Sequence, residues 1–241
     1  APILEAAGAD WLGVATVEEG IEIRAAGVRK PILVLTGAAG GDVSALLEYD
    51  LCVAVLHREM ARDLASRLHA HRLPVHIKID TGMGRLGLVP AALSGSSSPD
   101  AAGAALIREA TAIAKLPGLD AEGVFTHFAA ADSAALSSAK RQLEIFRDVL
   151  ERLRSAGLEF PIRHAANSAG VIALPDAHLD LVRPGIAIYG LNPSDEIDLQ
   201  GVDLRQAMAL KARIIQVKRV PAGFSVSYGM THRTPQSTTI A

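Results

Sequence analysis

The residue types with the clearest chemical potential lie in one segment, His76-Ile77-Lys78-Ile79-Asp80-Thr81-Gly82-Met83-Gly84-Arg85. The pattern predicts a β-strand that ends in charged residues and continues into a glycine-rich turn. Because side chains alternate along a strand, Lys78 and Asp80 share one face. A buried lysine needs a carboxylate partner or a modification that removes its charge. Lys78 therefore either forms a structural ion pair with Asp80 or belongs to a reactive site, and spacing alone leaves both open.

Two further candidates follow other short apolar runs. His127 comes after Val124-Phe125-Thr126, where a lone histidine is as readily structural as catalytic. Asn167-Ser168 marks a change from strand to helix. Ser168 is suited to cap that helix, and a helix start with a hydroxyl group is also suited to an anion.

Arg183-Pro184-Gly185-Ile186 is the third candidate segment. The Pro-Gly pair interrupts a strand and frees the Gly185 and Ile186 backbone N–H groups to hold a phosphate. Barrel enzymes often bind phosphate between the loops after the last two strands, which would bring in Ser168. The plain alternative for Arg183 is a structural salt bridge, and for Tyr228, further along the chain, it is β-sheet packing.

These residues require elements that gather them at one place. Short β-branched runs alternate with helical patterns, and seven runs predict strands: 11–15, 31–35, 51–55, 75–79, 122–127, 162–165 and one within 181–189. This alternation predicts an α/β fold with a parallel sheet, either an open doubly wound sheet or a (β/α)8 barrel. The barrel is favoured because no Gly-x-Gly-x-x-Gly fingerprint follows the first strand. Polar residues also recur at strand ends along the whole chain, namely Thr16, Thr36, Lys78, Asp80, His127, Asn167 and Arg183.

The pattern changes after about residue 192. Runs at 209–220, 224–228 and from 238 onward read as strands with no helix between them, so we expect an antiparallel β domain to begin there. We therefore predict a barrel over 1–192 and the start of a β domain over 193–241. The chain opens with Ala-Pro in a helix-like segment and stops inside a strand-like run, so we expect both ends to fall within larger elements.

Composition excludes several function classes. The chain has 24 Lys and Arg against 26 Asp and Glu, a net charge of −2, which argues against a nucleic-acid or membrane-surface partner. The apolar runs are all shorter than the roughly 18 residues of a membrane span. The single cysteine, Cys52, excludes an internal disulfide and favours a reducing, cytoplasmic compartment.

In this order, the motifs resemble the alanine racemase family, fold-type III enzymes that depend on pyridoxal 5'-phosphate (PLP). The matching segments are 7–16, Lys78 to Gly87, Thr126-His127-Phe128, Asn167-Ser168, Arg183 to Gly190 and Val226 to Gly229. The resemblance covers essentially the whole chain. It implies a TIM-type (β/α)8 barrel and two-base proton transfer at Cα that interconverts L- and D-alanine. D-alanine supply for peptidoglycan precursors is the implied role.

The same resemblance implies roles for single residues. Tyr228 would be a catalytic base that reaches into the partner subunit of a homodimer, and His127 would hydrogen-bond it. Arg85 would contact the PLP phenolic oxygen and the substrate carboxylate, and Lys78 matches a position that carries a carbamate in many members. The cofactor would be held by Asn167, Ser168, Gly185 and Ile186 at its phosphate and by Arg183 at its ring nitrogen, with His164 behind Arg183.

The sequence also departs from the family pattern. The Schiff-base lysine motif of the first barrel strand and the later part of the β domain are not found in it. We therefore expect an incomplete barrel whose first strand is missing, and 241 residues that are inactive by themselves. A racemase for serine or another small amino acid, a non-catalytic PLP-binding barrel and a catalytically dead barrel with a regulatory role remain open alternatives.

Overall fold

The computed structural model describes residues 1–90, 93 and 99–241, and it divides into two compact units, Ala1–Arg205 and Gln206–Ala241. Sequence places the change of pattern at 192, whereas the structure counts residues 193–205 with the first unit. Each unit is described separately.

The first unit is built on seven parallel strands that pair in chain order: β1 Leu12–Val14, β2 Ile32–Val34, β3 Leu51–Val55, β4 Leu73–Lys78, β5 Leu119–Phe125, β6 Ile162–Asn167 and β7 Leu181–Arg183. The helices are α1 Pro2–Ala6, α2 Val17–Ala25, α3 Val43–Glu48, α4 Arg58–Arg67, α5 Pro99–Ala114, α6 Ser137–Ser155 and α7 Ser168–Ala173. Together they form a nearly closed parallel barrel, and within the described ranges β7 pairs only with β6. The seven predicted strands and the barrel are confirmed.

Local sequence explains where the helices begin and which faces they bury. Helix α2 starts with a capping box, in which Thr16 Oγ1 accepts from Glu19 N at 3.3 Å and the Glu19 carboxylate accepts from Thr16 N at 3.3 Å. Helix α6 carries Leu143, Phe146 and Val149 at the spacing of one helical face, and all three are buried.

The core of the barrel is aliphatic. Every residue of β3 is buried, as expected for a parallel strand that is covered on both sides. The last predicted strand, within 181–189, is β7, which ends at Arg183 before the interruption predicted at Pro184-Gly185, and Ile186–Tyr189 forms a 3-10 turn. Pro184 has no N–H to continue the sheet, and Gly185 departs from extended geometry.

The second unit contains two small antiparallel sheets. Strand β8 (Lys218–Val220) pairs with β11 (Thr238–Ile240), and β9 (Ser225–Val226) pairs with β10 (His232–Arg233). The expected antiparallel arrangement is confirmed. The strand predicted over 209–220 is limited to its last three residues, because β11 supplies only three partners. In the described part of both units, no helix is long and apolar enough to cross a membrane.

Candidate active site

The guanidinium of Arg183, at the end of β7, is the best-connected cation at the carboxyl ends of the strands. Its Nη1 lies 2.6 Å from Nδ1 of His164. Its Nη2 donates to the carbonyl oxygens of Thr126 at 2.7 Å and Ala165 at 3.0 Å, and lies 3.4 Å from Nδ1 of His127. All four acceptors are neutral. Arg183 is therefore positioned by dipoles rather than by a carboxylate.

Burial lowers the pKa of Arg183 to about 10. This value still leaves the guanidinium charged at neutral pH. Arginine has donors only, so the contacts of Arg183 fix the direction of each hydrogen bond around it. The plain alternative for Arg183, a structural salt bridge, is not found among the ion pairs of the described ranges.

Lys78, at the end of β4, is a second cation close to Arg183. Its side chain is almost fully buried, and its Nζ lies 5.3 Å from the centre of the Phe125 ring. Burial lowers its pKa to about 8, with smaller contributions from the charges of Arg85 and Arg183. Within the described residues, Lys78 has no ion-pair partner, so the Lys78–Asp80 pair considered from sequence does not form.

The carboxylate of Asp80 instead orders the glycine-rich turn that follows β4. It accepts from three backbone N–H groups: Gly82 and Gly84 at 3.0 Å each and Arg85 at 2.9 Å. Both glycines have positive φ, +130° and +69°, which a residue with a side chain rarely adopts. The turn closes on β4 because Leu88 N donates to Lys78 O and Asp80 N donates to Leu88 O, each at 2.9 Å. Arg85 is thereby presented from a fixed backbone.

His127 lies two residues beyond the end of β5 and faces Arg183. Burial lowers its pKa to about 4, and the charges of Arg183, Lys78 and Arg85 act in the same direction. Its carbonyl oxygen accepts from Nε2 of the buried Gln142 at 3.0 Å, and Gln142 Oε1 accepts from Ala129 N at 2.8 Å. Gln142 was missed in the sequence. A polar residue on the buried face of a long amphipathic helix is the signal that could have found it.

Ser168, Gly185 and their neighbours form a cluster of small groups at the ends of β6 and β7. The Ser168 hydroxyl oxygen accepts from Gly185 N at 2.8 Å and from Ala187 N at 3.3 Å, so the two loops predicted to hold an anion do meet. Ile186 begins the 3-10 turn between these donors. Asn167 caps α7, since its Oδ1 accepts from Gly170 N at 3.0 Å.

His164 lies behind Arg183, as the resemblance implied, and is fully buried. It stacks on the Phe125 ring with centres 4.7 Å apart and planes 9° apart. Its Nε2 contacts Nδ1 of the fully buried His76 at 2.8 Å. Sequence reasoning missed His76 because the two histidines are 88 positions apart.

Tyr228 belongs to the second unit, where it opens a 3-10 turn, and its side chain is 99% exposed. The preceding residue, Ser227, has φ +60°, an uncommon value for a residue with a side chain. Tyr228 is thus presented on a tight turn rather than packed within a sheet, the alternative considered from sequence.

Comparison with known families agrees with this arrangement. The family model described as "Alanine racemase, N-terminal domain" matches residues 1–193, and the one described as "Alanine racemase, C-terminal domain" matches residues 207–241. The chain belongs to the alanine racemase family.

Individual alanine racemases show how far the likeness extends. The one from Desulfosudis oleivorans is 46% identical over 97% of this chain and 60% of its own length, and the one from Carboxydothermus hydrogenoformans is 45% identical over 100% and 62%. The solved alanine racemase of Clostridium difficile 630 superposes with a TM-score of 0.82 at 32% identity, over 99% of this chain and 60% of its own. The chain spans about three fifths of the length of these relatives.

Proposed function

We propose that this chain forms part of a PLP-dependent alanine racemase that interconverts L- and D-alanine by proton transfer at Cα. The observation that carries the proposal is the position of Arg183, a charged guanidinium held only by neutral acceptors, in a member of this family. A cytoplasmic location is part of the same proposal, supported by the single free thiol of Cys52.

The chemistry of the donor set suits PLP. The hydroxyl of Ser168 and the N–H group of Ile186 are donors for a phosphate, with Asn167 beside them. The Gly185 N–H donates to the Ser168 oxygen, which leaves the hydroxyl proton free for the phosphate. Arg183 is the donor for a ring nitrogen. When bound, PLP supplies an electron sink for the negative charge that forms at Cα. Arg183 keeps its own proton at neutral pH, so it donates a hydrogen bond without protonating the acceptor, which restrains side reactions such as transamination.

The proposed proton-transfer group on one face of the substrate is Tyr228 of a second subunit, which makes a homodimer part of the proposal. Support comes from His127. Because Arg183 Nη2 faces its Nδ1, the proton of neutral His127 belongs on Nε2. An Nε2–H donor directed at a phenolic oxygen would favour the deprotonated phenol, the form that accepts a proton. The exposed Tyr228 ring is available for such a contact.

Lys78 is the proposed site of carbamylation. Its pKa of about 8 leaves about a tenth of the amine neutral at pH 7, and the neutral amine is the form that attacks CO2. The ammonium first releases one proton, and Nζ releases a second as its new bond to the carbon of CO2 forms, so a cation becomes an anion with the loss of two protons. The carbamate would offset the positive charge of Arg183 and hold Arg85 for the substrate carboxylate.

Deuterium incorporation at Cα in D2O tests the function. A version of the chain extended at both ends, supplied with PLP, should exchange the Cα hydrogen of L-alanine and form D-alanine, with slower reaction of L-serine. Binding of PLP without exchange would overturn the proposal in favour of a non-catalytic PLP-binding barrel. Faster reaction with serine would overturn the assignment of alanine as the substrate. Assaying both the 241-residue chain and a version extended at both ends also tests whether these residues suffice.

A further inference from the structure

Beyond Arg183, polar side chains continue in a line through the interior of the barrel. Arg183 Nη1 meets His164 Nδ1 at 2.6 Å, and His164 Nε2 meets His76 Nδ1 at 2.8 Å. His76 Nε2 then faces Glu122 Oε1 at 3.6 Å. It has no hydrogen-bond partner in the described part of the chain. The line therefore ends on a buried ring nitrogen that is directed at a carboxylate.

Arg183 fixes the direction of this line. A guanidinium can only donate, so His164 Nδ1 must accept and carries no proton. Burial and the neighbouring charge of Arg183 hold the pKa of His164 well below its usual value, so its ring is neutral and its one proton lies on Nε2. His164 Nε2–H must then donate to His76 Nδ1, which therefore carries no proton. The ring proton of His76 lies on Nε2, which faces Glu122.

We propose that Glu122 is the terminal acceptor of a one-directional hydrogen-bond chain that positions Arg183 through His76 and His164. Glu122 is a positioning residue, since it acts through the two imidazoles. Its side chain is 32% exposed and so keeps the freedom to approach His76 more closely. Reversal of the chain would place two donors 2.6 Å apart at Arg183 and His164 and would displace the guanidinium.

The packing around the two rings is built for one orientation. Gly123 lies directly against the His76 imidazole, and any side chain there would collide with the ring. Trp11 covers His76 with ring centres 5.2 Å apart, and Phe125 stacks on His164. These contacts hold the planes of the two imidazoles, and the hydrogen bonds to Arg183 and between the rings assign a partner to each Nδ1.

A divalent cation held by Cys52, His76 and Glu122 is the competing interpretation, because their ligand atoms lie within 4.8 Å of one another. The proton positions assigned to His76 argue against a metal ion at this place. A metal needs the lone pair of His76 Nε2, which carries the proton here, and it needs the Cys52 thiolate. Burial and the Glu122 carboxylate raise the pKa of the Cys52 thiol, so this group stays protonated.

Nitrogen NMR of histidine-labelled protein tests the proposal without any activity. The ¹H–¹⁵N correlations of His76 and His164, assigned with His76→Gln and His164→Gln, should show a proton on Nε2 and a bare Nδ1 in both rings. A proton on Nδ1 of either ring, or a doubly protonated ring at pH 7, would overturn it. Added Zn²⁺ should leave the His76 signals unchanged, and a Zn²⁺-induced shift would assign a metal site instead.

Variants of Glu122 test its part in the chain. Arg183 still sets the tautomers in Glu122→Leu, but the His76 Nε2–H loses its acceptor, so its proton signal should move upfield, whereas Glu122→Gln retains an acceptor oxygen and should shift this signal less. Asp120→Asn is the matched control on the same strand, where Asp120 pairs with Arg72 at the surface at 3.1 Å. An unchanged His76 Nε2–H proton signal in folded Glu122→Leu, with fold checked by backbone amide signals, would overturn the assignment.

The catalytic consequence rests on the proposed function. Glu122→Leu should lower kcat about tenfold with a smaller change in KM, and Asp120→Asn should change neither. The two failures are distinguishable. If the proposed function is wrong, racemisation is absent from every variant while the tautomer result still stands. If the hydrogen-bond chain does not position Arg183, Glu122→Leu shifts the His76 Nε2–H signal but leaves kcat unchanged.

Discussion

Arg183 and Lys78 are two cations on one aromatic ring with opposite surroundings. Arg183 Cζ and Lys78 Nζ each lie 5.3 Å from the centre of Phe125. Arg183 has a neutral acceptor for each of its near contacts, whereas Lys78 has no ion-pair or hydrogen-bond partner in the described ranges. Burial lowers the pKa of both, to about 10 and about 8. Hydrogen bonding therefore fixes the position of one cation and leaves the amine of the other without a partner.

Removal of Arg183 should have the largest effect. Arg183→Leu leaves His164 Nδ1 and the Thr126 and Ala165 carbonyl groups without their donor, and we expect a loss of about 2–4 kcal/mol in the free energy of unfolding. Denaturant titration measures this loss. Arg163→Leu is the control, since Arg163 pairs with Asp180 near the surface and should change stability by less than about 1 kcal/mol. Equal losses in the two variants would contradict the special status of Arg183.

Lys78 should make stability depend on pH in the alkaline range. Its pKa falls from 10.5 in the unfolded chain to about 8 in the fold, so the unfolded state binds more protons between these values. The free energy of unfolding should therefore rise between about pH 8 and pH 10.5, by at most about 3 kcal/mol. Lys78→Met should abolish this rise in denaturant titrations at several pH values. If the free energy of unfolding of the variant still rises over this pH range, a group other than Lys78 causes the rise.

The absence of a partner for the Lys78 amine predicts that carbamylation is selective for this lysine. Protein incubated with ¹³C-bicarbonate should give one protected carbamate signal, and its intensity should increase as pH rises toward 8 because the neutral amine becomes more abundant. Lys78→Met should lose the signal and Lys140→Met should retain it. Loss of the signal only in the Lys140 variant would refute carbamylation of Lys78.

A substitution at Gly123 tests how rigidly His76 and His164 are packed behind Arg183. Gly123→Ala places a methyl group against the His76 ring, and we expect a loss of about 1–3 kcal/mol in the free energy of unfolding. Gly41→Ala is the control, because nothing lies within 4 Å of its added Cβ. Stability that is equal to the control would show that His76 moves aside easily.

The smallest expected effect concerns His127. The charge of Lys78 is one of the causes that lower its pKa to about 4, although burial is the main one. Lys78→Met should raise the pKa of His127 modestly toward its usual value, as followed by NMR titration. A lowered His127 pKa would contradict the stated sign.

Strand order and the strand-end residues could be predicted from sequence because alternation of short apolar runs with helices repeats along the chain. This pattern led to Lys78, His127, Ser168 and Arg183, which the structure places at the ends of neighbouring strands; their roles, like the domain boundary, stay predictions. Contacts inside the barrel could not be predicted. The register of the pairing between β4 and β5 shifts between Val75 and His76, which places Gly123 opposite His76. No local sequence pattern predicts this shift.

The turn from Asp80 to Leu88 has a consequence for the thermodynamics of binding. Its backbone is already tied by the Asp80 carboxylate and by the two bonds between Leu88 and β4. An anion that engages Arg85 therefore immobilises one side chain, at about 0.5–1.5 kcal/mol of conformational entropy, rather than a whole segment at about 1–2 kcal/mol for each residue. Most of the ordering needed for recognition at this turn is completed when the chain folds.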